Sequence, residues 1–303
     1  MFVCHKKSNV RKVEFEIDRV SIKGNFYTPE HELQKYPTIV MSHGFGAVKE
    51  MHIDRFAKAF SQNGFAVLLF DNRSFGESEG TPRQEINPWQ QIEDYRHAIT
   101  FVSTLKEVDA DRIGVWGTSF SGGHSLVLGA IDHRVKCVVS QVPTISGFEN
   151  AIRRSNGEKQ KKLFKQFADD RKNRLLGEEP VTLQIIPTKE GESAVFPSQD
   201  AIEWYSEAFD IAPDFVNAVT LRSLENVRGY EISSYLELIS PTPVLLLVAK
   251  EDFITPTDIT LKAFEKILEP KKLILLDGGH FDVYTKEFEK AVQPAIEWFS
   301  DNL

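Results

Sequence analysis

The sequence predicts an α/β protein, built on a mostly parallel sheet of about eight strands flanked by helices and carrying an inserted, mainly helical segment. Three observations carry that prediction. Short apolar runs recur along the chain: TIVM at 38–41, AVLLF at 66–70, RIGVW at 112–116, VKCVVS at 135–140, VLLLV at 244–248 and LILL at 273–276. Runs apolar on both faces are what a parallel sheet buried between helices requires. Helical segments alternate with these runs, which implies right-handed βαβ crossovers. The alternation breaks once, across residues 145–239, a connection so long that an inserted subdomain is expected rather than a loop.

The first element is a hairpin: VEFEIDRVSIKGNFY at 13–27 alternates apolar and polar residues across a turn at Asp18 and Arg19. Helix 53–62 follows the first apolar run and carries Phe56, Ala57, Ala59 and Phe60. The next, over 89–105, has Asn87 as its N-cap and Pro88 at the first helical position; Thr255, Pro256 and Asp258 open another that runs to Leu268. A last helix, about 284–299, closes the domain. The insertion opens with a polar helical stretch from Arg153 to Leu176, passes through an irregular portion with Pro180, Pro187 and Pro197, and ends in helices bearing Trp204, Tyr205, Phe209, Phe215, Tyr230 and Tyr235. The expected organisation is a core in two parts, 1–144 and 240–303, around a cap at 145–239.

Composition bounds the function. With 303 residues, 41% hydrophobic and 26% charged, the chain has ample core and is neither disordered nor fibrous. A net charge of −8 argues against a global nucleic-acid footprint. Cys4 and Cys137 are too few for a disulfide framework and too far apart for a metal pair, so a reducing compartment is expected. No apolar stretch reaches the roughly eighteen residues of a membrane span, and the charged start lacks the apolar region of a signal peptide. These points predict a soluble, cytoplasmic protein acting on a small molecule, with no nucleic-acid or membrane partner; a homodimer stays open. No nucleotide loop, zinc signature or EF-hand appears, so neither a cofactor nor a metal is expected.

The chemistry centres on Gly117-Thr118-Ser119-Phe120-Ser121-Gly122-Gly123, placed directly after the RIGVW strand and before an apolar helix. Strand, tight turn and helix form the setting in which a G-x-S-x-G pattern pushes a serine hydroxyl outward as a nucleophile. Ser121 stands where the pattern has its final glycine, a mild departure. The partners should follow as acid and then histidine. Asp252 lies just past the VLLLV strand and His280 just past LILL, on the loops where an open α/β sheet places its ligands. In this reading His280 takes the serine proton and returns it to the leaving group, and Asp252 orients the imidazole. Glu251 and Asp258 are rivals for the acid; Glu251 should point away if Asp252 points inward, and Asp258 better suits a helix N-terminus. An oxyanion hole would use the backbone N–H groups of Phe120 and of Phe45, in the loop Ser42-His43-Gly44-Phe45-Gly46. His43 could be mistaken for the base; ordering that loop by hydrogen bonding is the preferred reading.

Together SHGFG at 42–46, FDNRSFGES at 70–78, the serine turn, VAKED at 248–252 and GGHFD at 278–282 resemble the α/β-hydrolase superfamily. In finer detail, with ISPTPVLLLVAKEDFITPTD at 239–258, the chain resembles the branch that groups X-prolyl dipeptidyl peptidase-like hydrolases with fungal polyketide transferases and their bacterial relatives. The resemblance implies a Ser119, Asp252, His280 triad and Phe45 and Phe120 oxyanion donors. It implies no single substrate, because members include esterases, thioesterases, acyl transferases and peptidases. Ester hydrolysis through an acyl-enzyme is the expected activity, with acyl transfer or thioester cleavage next, peptidase action third, and a silent binding protein of the same fold as the competing class.

Asp71 and Arg73 in FDNRSFGES read as structural, and Cys137, inside a buried strand, as an inert core residue. The segment 153–174 holds nine Lys or Arg against three Asp or Glu. A solvated helical face is its default reading; the sharper one is attraction of an acidic substrate. Trp204, Tyr205 and Phe209 would line an acyl pocket above Ser119, or else pack the cap.

Overall fold

A computed structural model describes residues 8–30, 33–155 and 157–303, and Cys4 lies outside them. The hairpin comes first, β1 (Ser8–Ile17) and β2 (Val20–Pro29), joined through Asp18 and Arg19. Both turn residues have positive φ, 50° and 66°, the geometry that matches the right-handed twist of a two-residue hairpin. The chain then alternates through β3 (Tyr36–Ser42), α1 (Ile53–Gln62), β4 (Ala66–Phe70), α2 (Pro88–Ser103), β5 (Val108–Thr118), α3 (Phe120–Ile131) and β6 (Val135–Gln141). Asn87 caps α2 as expected, its side chain accepting from the N–H of Gln90.

Between β6 and the next sheet strand lie α4 (Gly147–Arg153), α5 (Gly157–Leu175), a two-residue strand β7 (Thr182–Leu183), α6 (Gln199–Ile211), its partner β8 (Val219–Thr220) and α7 (Leu221–Arg228). The core resumes with β9 (Val244–Ala249), α8 (Thr257–Lys266), β10 (Lys271–Leu276) and α9 (Phe288–Asn302). No helix among the described residues is long and apolar enough to cross a membrane.

The sheet has eight strands in the order β1-β2-β4-β3-β5-β6-β9-β10, parallel from β4 to β10 and antiparallel at the hairpin end. Helices α1 and α9 pack on one face, and α2, α3 and α8 on the other. Register brings the strand ends into line: Ser42 pairs with Phe70 and Gly117, Thr118 with Gln141, Gln141 with Leu247, and Ala249 with Leu276. The loops after β3, β5, β9 and β10 therefore leave the sheet along one edge, and these loops carry Phe45, Ser119, Asp252 and His280.

Two expectations need correction. LILL is not buried on both faces: Leu275 is 47% exposed, because β10 is the outer strand of the sheet with a single neighbour. The last helix begins at Phe288 rather than near 284. Asp282 to Tyr284 instead make one 3-10 turn, and non-helical angles at Thr285 separate it from α9. The Asp282 carboxylate holds the turn by accepting from the N–H of Gly279 at 2.8 Å.

Candidate active site

Ser119 sits at the junction of β5 and α3 with φ 55° and ψ −114°, a conformation costly for a residue with a side chain and one that persists only where its surroundings enforce it. Its own backbone is clamped on both sides by the end of β6 and the residues just after it: the Ser119 N–H donates to Gln141 O at 2.8 Å, and the Thr144 N–H donates to Ser119 O at 2.9 Å. A Cβ at Gly117 would lie 2.0 Å from the carbonyl oxygen of Ser121, so only glycine fits there. Ser121 is not a loose substitute for glycine. Its hydroxyl accepts from the Thr118 N–H at 3.0 Å and donates to Ser42 O at 2.7 Å, tying the turn to the end of β3.

The structure brings the three predicted side chains together. His280 Nε2 is 3.0 Å from Ser119 Oγ, and His280 Nδ1 is 2.7 Å from Asp252 Oδ2, with all three residues buried. Asp252 is held in turn by its own loop, Oδ1 accepting from the N–H groups of Ile254 and Thr255, each at 2.8 Å. The Thr255 hydroxyl lies 2.8 Å from Asp252 Oδ2 and 2.9 Å from Val142 O. Thr255 was expected to open a helix; it belongs to the acid loop, and α8 starts at Thr257 after Pro256. The signal was present in the sequence, since an Asp followed three residues later by Thr is a common self-bonded turn. Of the two rivals for the acid, Glu251 is exposed, and Asp258 sits in the first turn of α8, where it pairs with Arg153 at 2.6 Å.

The N–H groups of Phe45 and Phe120 have no acceptor among the described residues, as donors reserved for a substrate oxygen would. Gly44 lets the Phe45 loop approach the serine, for a Cβ there would lie 3.0 Å from Ser119 Cβ. His43 orders the same loop. Its Nε2 accepts the Asn72 N–H at 2.9 Å, Nδ1 lies 3.0 Å from Gly44 O, and burial pushes its pKa down to about 4, which keeps it neutral. Beneath the loop the buried Lys49 ammonium bonds Asp71 and Glu77, each at 2.7 Å. Its partners raise its pKa against the opposing effect of burial, and the two lysines Lys12 and Lys49 hold Glu77 down at about 2. Arg73 pairs bidentately with the buried Asp94, at 2.6 and 2.9 Å. Asp71 and Arg73 are thus structural, and burial raises the Cys137 thiol well above its usual range, in keeping with an inert core residue.

Aromatic rings gather about Phe45, Phe120 and Phe281, the neighbours of the serine and histidine. Phe45 meets Phe120 at 6.2 Å and Phe196 at 5.3 Å, Trp204 stacks on Phe281 at 5.2 Å, and the Tyr205 hydroxyl donates to Phe45 O at 2.6 Å. The Trp204 indole N–H is buried without an acceptor among the described residues. Phe209 does not join them: it is 54% exposed and packs on Phe215. Sequence reading did not assign Phe196, Phe281 or Tyr230 to the site: Phe196 and Tyr230 reach it only once the segment after β6 folds back, whereas Phe281 directly follows His280. Tyr230 packs on Phe120 at 5.2 Å and its hydroxyl bonds His124 Nδ1 at 2.9 Å. Among the described residues no group of three or more His, Cys, Asp or Glu could hold a metal ion.

The family described as X-Pro dipeptidyl-peptidase (S15 family) matches residues 18–282. The chain belongs to that family. The quorum-quenching protein AidA of Acinetobacter baumannii is 32% identical over 287 residues, spanning 94% of this chain and 93% of its own. The thiohydrolase aneE of Aspergillus aculeatus is 33% identical over 316 residues, spanning 99% and 95%. GrgF of a Penicillium species, named a polyketide transferase, is 28% identical over 295 residues and 96% of each chain. The crystal structure of the α/β hydrolase GrgF superposes with a TM-score of 0.84 over 97% of this chain and 99% of that one. This S15-family chain is an α/β hydrolase, and the resemblance to peptidase-like hydrolases, polyketide transferases and bacterial relatives holds.

Proposed function

We propose that this α/β hydrolase works through a Ser119 acyl-enzyme on a small or medium acyl ester. The observation that carries the reading is the unbroken line of contacts from Ser119 Oγ to His280 Nε2 and from His280 Nδ1 to Asp252. A serine hydroxyl is a weak nucleophile until a base within hydrogen-bond reach takes its proton. Ser119 Oγ would attack the acyl carbon as its proton passes to His280, leaving an oxyanion that the N–H groups of Phe45 and Phe120 stabilise. Collapse breaks the bond to the leaving group, which takes the proton from His280. Water then attacks the acyl-enzyme by the same route, its proton returning through His280, and releases the acid and free Ser119.

Residues 145–239 act in this reading as a cap whose Tyr205 and Trp204 form one wall of the acyl pocket. The aromatic surroundings of Ser119 suit an apolar acyl chain. A thioester substrate is the second reading, supported by the name of the relative aneE, a thiohydrolase; the same acyl-enzyme forms and only the leaving atom differs. The one cysteine among the described residues, Cys137, is a buried free thiol, which supports residence in a reducing cytoplasm.

A fluorophosphonate probe tests the mechanism. Ser119 should be the labelled residue, and Ser119→Ala should lower p-nitrophenyl ester turnover by roughly 10⁴-fold or more with an unchanged melting curve. A folded protein that takes no label, or a Ser119→Ala variant that keeps its activity, defeats the proposal.

A further inference from the structure

Arg154 stands at the end of α4, next to Arg153, but the two differ in their partners. Arg153 is neutralised by Asp258 and Glu149. Arg154 has no carboxylate within 4.0 Å among the described residues. Its guanidinium donates one hydrogen bond, from Nη2 to Ile254 O, and lies over the Phe196 ring at 5.2 Å. Each contact leads into the site. Ile254 donates its own N–H to Asp252, and Phe196 packs on Phe45. The cation therefore spans the space between the acid loop and the oxyanion loop, within electrostatic reach of Asp252 and Tyr205. The side chain remains solvent-accessible, and four of its five N–H donors have no partner among the described residues.

We infer that Arg154 is a substrate-recognition residue that binds an oxyanion group, carboxylate or phosphate, on the acyl substrate of Ser119. A guanidinium presents a planar fork that matches such groups bidentately, and stacking on Phe196 pre-orients it. Like other guanidinium groups it is charged at neutral pH. A cation at this position repels the ammonium of a peptide amino terminus, so the inference also sets this chain apart from an X-Pro peptidase specificity. It rests on the Ser119 acyl-enzyme reading.

The anion could belong to the acyl chain or to the leaving group, and two substrate pairs separate these sources. The first is p-nitrophenyl hexanoate against mono-p-nitrophenyl adipate; the second is hexanoyl-N-acetylcysteamine against hexanoyl-coenzyme A. Wild type should favour the anionic member of one pair by about tenfold or more in kcat/KM. Arg154→Gln should erase that preference, mainly through KM, while leaving turnover of neutral p-nitrophenyl hexanoate within about twofold; Arg154→Lys should keep part of it. Absence of any anionic preference in wild type overturns the inference, as does a parallel loss on neutral and anionic substrates in Arg154→Gln, which would mark Arg154 as a support for the acid loop through Ile254. Wild type retains Ser119-dependent turnover of the neutral ester in both of those outcomes. Loss of that turnover in wild type would instead overturn the acyl-enzyme reading and this inference with it.

Discussion

The Tyr205 hydroxyl, on α6 of the inserted segment, donates a 2.6 Å hydrogen bond to the carbonyl oxygen of Phe45, on the loop after β3. The peptide N–H of Phe45 is a proposed oxyanion donor, so the insertion grips the very residue whose backbone must be held still during acyl transfer. Tyr205→Phe removes that bond and keeps the ring packing against Phe196 and Trp204. The expected result is a stability loss of about 1 kcal/mol and a several-fold fall in kcat with KM nearly unchanged, measured by urea denaturation and ester kinetics. An unaltered kcat would show that the loop holds its position without the insertion.

The acid loop supports a second prediction. Asp252→Asn retains the shape of the loop but reverses the hydrogen-bonding sense at His280 Nδ1, and should lower kcat by roughly 10³- to 10⁴-fold. Thr255→Val removes only the hydroxyl that lies between Asp252 and Val142 O. A loss of about tenfold or less is expected for it, and steady-state kinetics on a p-nitrophenyl ester will rank the two.

Lys49 is fully buried against Asp71, with Glu77 and Glu50 as further partners. Lys49→Met leaves Asp71 buried without its counter-ion, a change that costs about 3–5 kcal/mol in comparable buried pairs. The double variant Lys49→Met, Asp71→Asn removes both charges and should recover part of the loss. Urea midpoints at neutral pH give the comparison.

Stability should depend on pH through two buried imidazoles. His43 is pushed down to about 4 and His124 to about 3, chiefly by burial. Both folded-state values lie below the free value of about 6.5, so the unfolded chain binds more protons in the interval, and stability falls as pH drops through 6.5 toward those values. Between pH 7 and 5 each histidine should contribute about 2 kcal/mol to that fall. His124→Gln, placed to bond Tyr230 and Gln91 as the histidine does, should reduce the pH dependence by about that amount. An identical pH dependence in the variant would mean that other groups govern it.

Local pattern made much of the site legible. Apolar runs on both faces marked β3 to β9 as parallel strands, and the catalytic residue types stood at strand ends, where the shared register of a parallel sheet gathers loops along one edge. Glycine-only geometry at Gly117 and a short self-bonded turn at Asp252 are written in neighbouring residues. LILL misled because an edge strand and a central strand can share one composition and differ only in their neighbours. The start of α9 misled because Asp282 bonds backward to Gly279, a contact that hydrophobic periodicity does not encode.

The basic stretch at 153–174 shows the limit most clearly. Most of α5 behaves as a solvated face, with Lys161 on Glu158, Lys165 on Asp169 and Arg171 on Glu225. Nine cations read identically along the chain, and only Arg154 meets Ile254 and Phe196. The strands themselves, the serine turn and the candidate acid and histidine are legible from short-range chemistry, because each is marked by residues a few positions apart. Which aromatic rings meet at Phe45 and Phe120, where Arg154 comes to rest and which residue holds Phe45 depend on contacts between residues far apart in the chain, as in the Tyr205 bond to Phe45 and the Arg154 bond to Ile254. Those contacts exist only after the segment between β6 and β9 has folded back over the sheet edge.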